Sequence, residues 1–314
     1  MKKRILGRTG LEVSEISFGA WQLGGVSYGA VSEQDADATL STYIDRGGNF
    51  IDTARRYAKS EYRIGKFLKN HGGRDQLILA SKTHQLDEAL IREELETSLS
   101  LLSTDYLDLY YLHLPPDGSE QMMDVLRIFE QLKEEGKIRF IGASIKGPDV
   151  TPHTVELSRQ YTDSGNVDVL MLIYSIVRQG NSAVFDATER NGIGIVARTV
   201  LESGLLSGKY KPGHRFENTE DHRRRWSDET LDRFFESAVE IQKLIEGSPC
   251  KNTIEAAIRF ALQPPAVSSL VIGGRTPAQI QQILDDAEAG LLPAEFTALL
   301  REKYAGRDSL FNIG

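Results

Sequence analysis

Eight short runs rich in β-branched and aromatic residues recur along the chain, separated by amphipathic stretches of helical period. The runs are ISFG (16–19), NFID (49–52), LILAS (77–81), YLDLYYLH (106–113), IRFIGAS (138–144), VDVLML (167–172), IGIVA (193–197) and SSLVIG (268–273). A strand followed by a helix before the next strand returns in the same direction, so this alternation predicts a parallel sheet joined by crossover helices. The intervening segments support it. DEALIREELETSLSLL carries Leu90, Ile91, Leu95, Leu99 and Leu102 at helical spacing, and SEQMMDVLRIFEQLKEEGK stops at Gly136 with lysines flanking the stop.

Eight such units in roughly 280 residues fit an α/β closed (β/α)8 TIM barrel better than an open sheet. An open nucleotide-binding sheet wants G-x-G-x-x-G after its first strand, and GAWQLGGVSYG does not match. Three segments exceed the minimal barrel: an N-terminal hairpin over the floor in KRILGRTGLEVS, turning at Arg8 to Gly10, and extra helices over 228–247 and 293–306. No linker, repeat or low-complexity tract interrupts residues 1–314, which read as a single domain.

Charge narrows the partners. A formal net charge of -8 argues against nucleic acid, which needs a basic footprint. The single cysteine, Cys250, has no internal disulfide partner, which suits a reducing compartment and reads as inert. MKKRILGRTGLEVSEISFG lacks the apolar core of a secretory signal, and no run is apolar enough to span a membrane, so a cytoplasmic address is expected.

The segment NFIDTARRYAKSEY (49–62) ends an apolar strand on Asp52, and a carboxylate entering a core needs a partner. Reactive groups of such barrels sit at the C-terminal ends of the strands. Asp52 ends the second run and Tyr57 follows it; Lys82 ends the third, and His113 the fourth. Lys82 is then the expected partner of Asp52, within reach of Tyr57. A lysine cation stabilises tyrosinate and lowers the phenol's pKa, making Tyr57 a usable general acid. His113 donates a hydrogen bond to a substrate oxygen. A carbonyl turning into an alkoxide needs such a set, and the matching hydride implies a nicotinamide cofactor.

Taken one at a time these residues have plain structural readings: Asp52 a helix N-cap, Lys82 a solvated strand end, His113 a hydrogen-bonded core histidine and Tyr57 packing. Their shared position at one end of three neighbouring strands favours the joint functional reading. SGLLSGKY is one residue short of a Walker loop and has Tyr210 where Ser or Thr belongs. LHLPPD and HQLDE supply no metal-ligand spacing, so no metal is expected. HRRRW (222–226) reads as a solvated basic loop or as a lid over cofactor phosphates, and RDSLFNIG as a segment that either frays or folds over the mouth.

The chain resembles the aldo-keto reductases through LGRTGLEVSEISFGAW, GGNFIDTARRYAKSEYRIGKFL, LASKT, LDLYYLHLPPD, GKIRFIGAS, LESGLLSGKY and LVIGGRTPAQI. The resemblance implies a catalytic tetrad of Asp52, Tyr57, Lys82 and His113, with Tyr57 as proton donor and NADPH (NADP+) as hydride donor, NADH being the other candidate. It further implies that Ser144 touches the carboxamide, with Arg198 where the family often stacks a tyrosine on the nicotinamide. Leu201, Ser203, Gly204 and Leu206 would wrap the pyrophosphate, while Gly273, Gly274, Arg275 and Gln279 hold the adenosine and its 2′-phosphate. Trp21 would wall the pocket for a small carbonyl or alcohol substrate, a sugar among the candidates. IGGRTPAQI has a physical basis too, since glycines and a guanidinium at a helix start suit a phosphate.

Departures from the family's pattern are Ile145, Met171 and Ile283, apolar where polar cofactor contacts are usual. They keep two other classes in view on the same fold: a cofactor-binding regulatory or sensor subunit, as in some potassium-channel β subunits, and a lyase or isomerase using Tyr57 and Lys82. Substrate identity and oligomeric state are not legible.

Overall fold

Alternation within each strand decides which side chains enter the barrel and which face the helices. In the computed structural model, which describes residues 1–145 and 147–313, eight parallel strands close on one another. Ahead of them β1 (Lys3–Ile5) and β2 (Glu12–Ser14) form the expected antiparallel hairpin, with Lys3 opposite Ser14. The barrel strands are β3 (Ile16–Gly19), β4 (Phe50–Asp52), β5 (Ile78–Thr83), β6 (Leu107–His113), β7 (Ile138–Ser144), β8 (Val169–Ile173), β9 (Gly194–Arg198) and β10 (Val267–Ile272), with β10 pairing back onto β3. All eight expected runs are strands.

Their inward residues form a small core of Phe50, Ile78, Ala80, Leu109, Tyr111, Val169, Met171 and Val196, into which Leu6 and Val13 of the hairpin also pack. The hairpin therefore plugs the N-terminal end of the barrel. Outward residues such as Tyr110 and Leu112 join the larger core beneath the helices; Tyr110 stacks on Phe129 at 5.2 Å between ring centres. The sixth barrel strand starts two residues later than the sequence suggests. Asp168 ends the lead-in by using its carboxylate as a cap, accepting from the Ile141 amide at 3.0 Å and from Arg8 Nε at 3.0 Å.

Both extra helices are present, as Asp228–Leu244 and Ala294–Tyr304. Ser227 caps the first, its side chain accepting from the Thr230 amide. The C-terminal segment RDSLFNIG does not fray through its described part. Phe311 is buried against Phe234, with ring centres 5.2 Å apart, and the Ile313 amide donates to Asp149 Oδ1 at 2.6 Å. Gly314 lies outside the described residues.

Candidate active site

The same alternation that buries Phe50 turns Asp52 inward, and the pattern repeats for Ala80 and Lys82 on β5 and for Tyr111 and His113 on β6. Lys82 Nζ donates to Asp52 Oδ1 at 2.5 Å and to the Thr53 carbonyl at 2.7 Å. Both side chains are buried, so the question raised by a strand ending on an acid is answered by the neighbouring strand. The ammonium lies 5.1 Å from the centre of the Tyr57 ring, and that ring meets His113 edge-on at 5.9 Å. Trp21 stands 6.2 Å from Tyr57 on its other side.

Tyr57 sits on a loop, and hydrogen bonds make that loop rigid. The Arg55 amide donates to the Lys82 carbonyl at 3.1 Å, and the Tyr57 amide to the Ala54 carbonyl at 2.9 Å. Ser60 shares a hydroxyl contact with Thr53 at 2.8 Å and donates to the Ala20 carbonyl. Glu61, buried, accepts from Ser81 Oγ at 2.7 Å and from the Arg55 guanidinium. From the other side, a Cβ on Gly24 would come within 2.5 Å of the Tyr57 carbonyl, so only glycine lets the two loops approach this closely.

Burial dominates the electrostatics. It pushes the Tyr57 phenol above its ordinary value, and Lys82 offsets only part of that rise. This corrects the sequence expectation of a lowered pKa: the cation is present, but desolvation outweighs it, and the phenol holds its proton firmly in the ground state. Burial likewise raises the Asp52 carboxyl, with Lys82 opposing. His113 is pushed down to about 3 by burial and then by the Lys82, Arg198 and Arg56 cations, so it is neutral at physiological pH. A neutral imidazole carries one N–H to donate. Arg198 is lowered by burial to about 10 and remains charged, its Nη2 donating to the Ile145 and Gly147 carbonyls at 2.9 and 2.8 Å.

These groups open into a cleft of about 890 Å³. Trp21, Asp52, Tyr57, His113, Ser144, Arg198, Leu201, Ser203, Gly204, Gly273, Gly274, Arg275 and Gln279 all line it, and Lys82 lies just behind them. Leu206 does not. Its side chain is fully buried in the core under the helices, and its amide donates to the Leu201 carbonyl, so the expected pyrophosphate contact is not available from it. Ile145, Met171 and Ile283 line the wall as apolar surface.

The lining fits an extended dinucleotide. Asp52 Oδ2 is buried with no hydrogen-bond partner among the described residues, an acceptor waiting for a hydroxyl donor. Ser203 (φ 55°) and Gly204 (φ 85°) take left-handed backbone that folds the loop along the cleft wall, where the Gly204 amide donates to the Leu201 carbonyl at 2.8 Å. A Cβ on Gly273 would fall 2.1 Å from Gln22 Oε1 and 2.3 Å from the Gly19 carbonyl, so only glycine fits against them at this point of the cleft wall. The Arg275 amide donates to Gln279 Oε1 at 2.9 Å and its guanidinium to the Tyr28 carbonyl, fixing both at the start of helix Pro277–Glu288. Among the described residues no cluster of metal-ligating side chains occurs.

Sequence reasoning gave no site role to Tyr28 or Arg56, which also line the cleft, and it met Arg223 only as part of the 222–226 loop. The basic loop HRRRW is only partly solvated: Arg223 is buried, paired with Asp221 at 2.7 Å, and donates to the Ser203 carbonyl at 3.0 Å. The same loop reaches across the cleft mouth, where the His222 amide donates to the Ser27 carbonyl at 3.0 Å and Tyr28 bridges to Asp221. The D-x-R spacing of Asp221 and Arg223 was the available signal, since an acid two residues before a base can fold back on it.

A closed βα barrel with a buried acid and ammonium beside a half-buried phenol, at the foot of a nucleotide-sized cleft, defines a class of oxidoreductase. The family model described as the Aldo/keto reductase family matches residues 15–305, and the chain belongs to that family, whose members use nicotinamide cofactors. Among curated relatives, "Aldo-keto reductase YhdN" of Bacillus subtilis (strain 168) is 30% identical, covering 88% of this chain and 85% of its own. "L-galactose dehydrogenase" of Arabidopsis thaliana is 31% identical over 89% of this chain and 86% of its own. The solved holo form of aldo-keto reductase AKR11C1 from Bacillus halodurans superposes with a TM-score of 0.77 at 28% identity, covering 98% of this chain and 97% of that one. No helix among the described residues is long and apolar enough to cross a membrane.

Proposed function

We propose that the protein reduces an aldehyde or ketone to an alcohol, with Tyr57 giving a proton to the carbonyl oxygen. The observation that carries this reading is the buried Lys82 ammonium, held by Asp52 at 2.5 Å and lying 5.1 Å from the Tyr57 ring. A nicotinamide cofactor bound across the cleft supplies the hydride. Asp52, Ser144, Ser203, Gly204, Gly273 and Arg275 would hold it, and the guanidinium of Arg275 favours the 2′-phosphate of NADPH over NADH.

The chain's own groups account for the proton. Tyr57, kept protonated by burial, donates as negative charge grows on the carbonyl oxygen, and Lys82 then stabilises the phenolate left behind. Neutral His113 donates a hydrogen bond to the same oxygen and orients the carbonyl without carrying charge of its own. Trp21 closes the apolar side of the pocket.

The test is Tyr57→Phe, followed through nicotinamide absorbance over a panel of carbonyl compounds. Loss of at least about 100-fold in kcat with cofactor affinity retained is expected, since a positioned general acid contributes roughly 10² to 10⁴; unchanged turnover removes Tyr57 from the mechanism. The apolar wall of Ile145 and Met171 beside Ser144 favours a second reading, a cofactor-binding sensor. Tight cofactor retention with negligible turnover in the unsubstituted protein would select it.

A further inference from the structure

Two adjacent arginines on the Tyr57 loop have different fates. Arg55 is pinned to the buried Glu61 carboxylate. Arg56 is exposed, lines the cleft, and has no carboxylate or hydrogen-bond partner among the described residues. Its backbone is nonetheless fixed, because the Arg55 and Tyr57 amides on either side are both hydrogen-bonded and the loop is seated on Gly24. An arginine side chain is thus rooted on a rigid rim one residue from the proton donor.

The surrounding charge is uncompensated. Among the described residues that line the cleft only Asp52 is acidic, and Lys82 neutralises it. Against it stand Arg56, Arg198, Lys209, Arg223 and Arg275. Arg223 is paired with Asp221, Lys209 follows the Ser203–Gly204 loop in the chain, and Arg275 lies at the helix start read above as phosphate-binding. Arg56 and Arg198 remain at the carbonyl end; among the described residues Arg198 hydrogen-bonds to neutral acceptors, the Ile145 and Gly147 carbonyls and Thr199, and the carboxylates that act on it through space, Glu202 and Asp52, are each paired with another cation. A chain of net charge -8 therefore gathers unpaired positive charge around its reaction centre. Both cations bear on His113, in keeping with its depressed basicity. A neutral substrate entering here would leave these cations unanswered, whereas an anion would offset them.

We propose that Arg56 is the specificity-determining residue and that the preferred substrates are aldehydes or ketones bearing a carboxylate, received by its guanidinium while the carbonyl meets Tyr57. A planar guanidinium pairs bidentately with a carboxylate, which a hydroxyl or an ester cannot reproduce. The proposal rests on the carbonyl-reduction reading and adds its substrate class. The carboxylate takes no part in the bond changes: hydride adds to the carbonyl carbon, the π pair moves to oxygen, and the Tyr57 proton is taken there.

The experiment compares 4-oxobutanoate and 4-formylbenzoate, each against its methyl ester, with cofactor-saturated protein. At least one acid should exceed its ester in kcat/KM by roughly tenfold, the worth of one charge-assisted hydrogen bond. Arg56→Gln should bring that ratio near one, chiefly through KM, with Arg56→Lys intermediate, and added salt should shrink the ratio in the unsubstituted protein. Ratios of one or less for both pairs, or a ratio that survives Arg56→Gln, overturn the proposal. If no aldehyde is reduced, the catalytic reading fails separately, and calorimetric titration with 4-(hydroxymethyl)benzoate and its methyl ester decides this one. Tighter binding of the acid that is lost in Arg56→Gln upholds the carboxylate site; equal binding refutes it.

Discussion

Lys82 Nζ sits 2.5 Å from Asp52 Oδ1 with both side chains sealed from solvent, so each is the other's direct ion-pair partner. Removing one partner of a buried pair strands the other charge, at a cost of about 3–5 kcal/mol. Asp52→Ala should therefore lower the unfolding free energy by that order in a denaturant titration. It should also lower kcat, because Lys82 would lose the carboxylate that holds it beside Tyr57 and keep the Thr53 carbonyl as its remaining buried backbone acceptor. A stable Asp52→Ala protein with normal turnover would show that the pair neither supports the fold nor positions the ammonium.

Arg275 is anchored at both ends, its amide to Gln279 and its guanidinium to the Tyr28 carbonyl, which presents a fixed cation at the cleft edge. Arg275→Ala should weaken NADPH by roughly tenfold or more, the worth of a hydrogen bond between charged groups, while leaving NADH nearly unchanged. Fluorescence titration of both cofactors against both proteins reads this directly. Equal affinities throughout would remove the phosphate role from Arg275.

Much of this architecture was legible because strand alternation has a period of two. Once Phe50, Ala80 and Tyr111 are assigned inward, Asp52, Lys82 and His113 must follow at the C-terminal end, and the sequence order of the strands makes them neighbours. Balances and long-range contacts were not legible. The sign of the Tyr57 shift depends on how completely the folded chain desolvates the phenol, which no local pattern encodes. Leu206 was expected beside Leu201, Ser203 and Gly204 from the family resemblance alone, yet beyond the left-handed turn at Ser203 and Gly204 it packs into the core. The closure of the cleft mouth by Tyr28 and Asp221 joins loops 193 residues apart, and neither loop carries a pairing signal of its own.

His113 sets a pH dependence whose sign follows from its environment. Burial and nearby cations depress its folded pKa to about 3, below the unfolded value of about 6.5. The unfolded chain therefore binds the extra proton first as pH falls, and stability contributed at neutral pH is lost between about 6.5 and 3. His113→Asn should flatten the pH dependence of the denaturation midpoint within that window. In the unsubstituted enzyme, kcat/KM should show no limb from His113 between about pH 5 and 8. An inflection near pH 6.5 that His113→Asn abolishes would show the imidazole titrating normally.

Arg178 and Glu202 form a second sealed ion pair, and it ties together three of the loops that shape the cleft. Arg178 Nε donates to Glu202 Oε1 at 3.0 Å, its Nη2 to Oε2, and its Nη1 to the Pro148 carbonyl beyond β7. Ser175 Oγ, beyond β8, donates to Glu202 Oε1 at 2.5 Å. Glu202 itself has left-handed backbone (φ 47°), strain for a non-glycine residue that the ion pair offsets, and it directly precedes Ser203 and Gly204. Arg178→Met leaves the Glu202 carboxylate buried and unpaired, so stability should fall by about 3–5 kcal/mol. Cofactor affinity should fall with it, because the cleft-lining loop at Ser203 and Gly204 loses its fixed position. The double variant Arg178→Met with Glu202→Gln separates the two effects. It removes the stranded charge and should recover much of the stability, while affinity stays low because the carboxylate that fixed the loop is gone. Recovery of both together would mean that the pair acts on the fold alone.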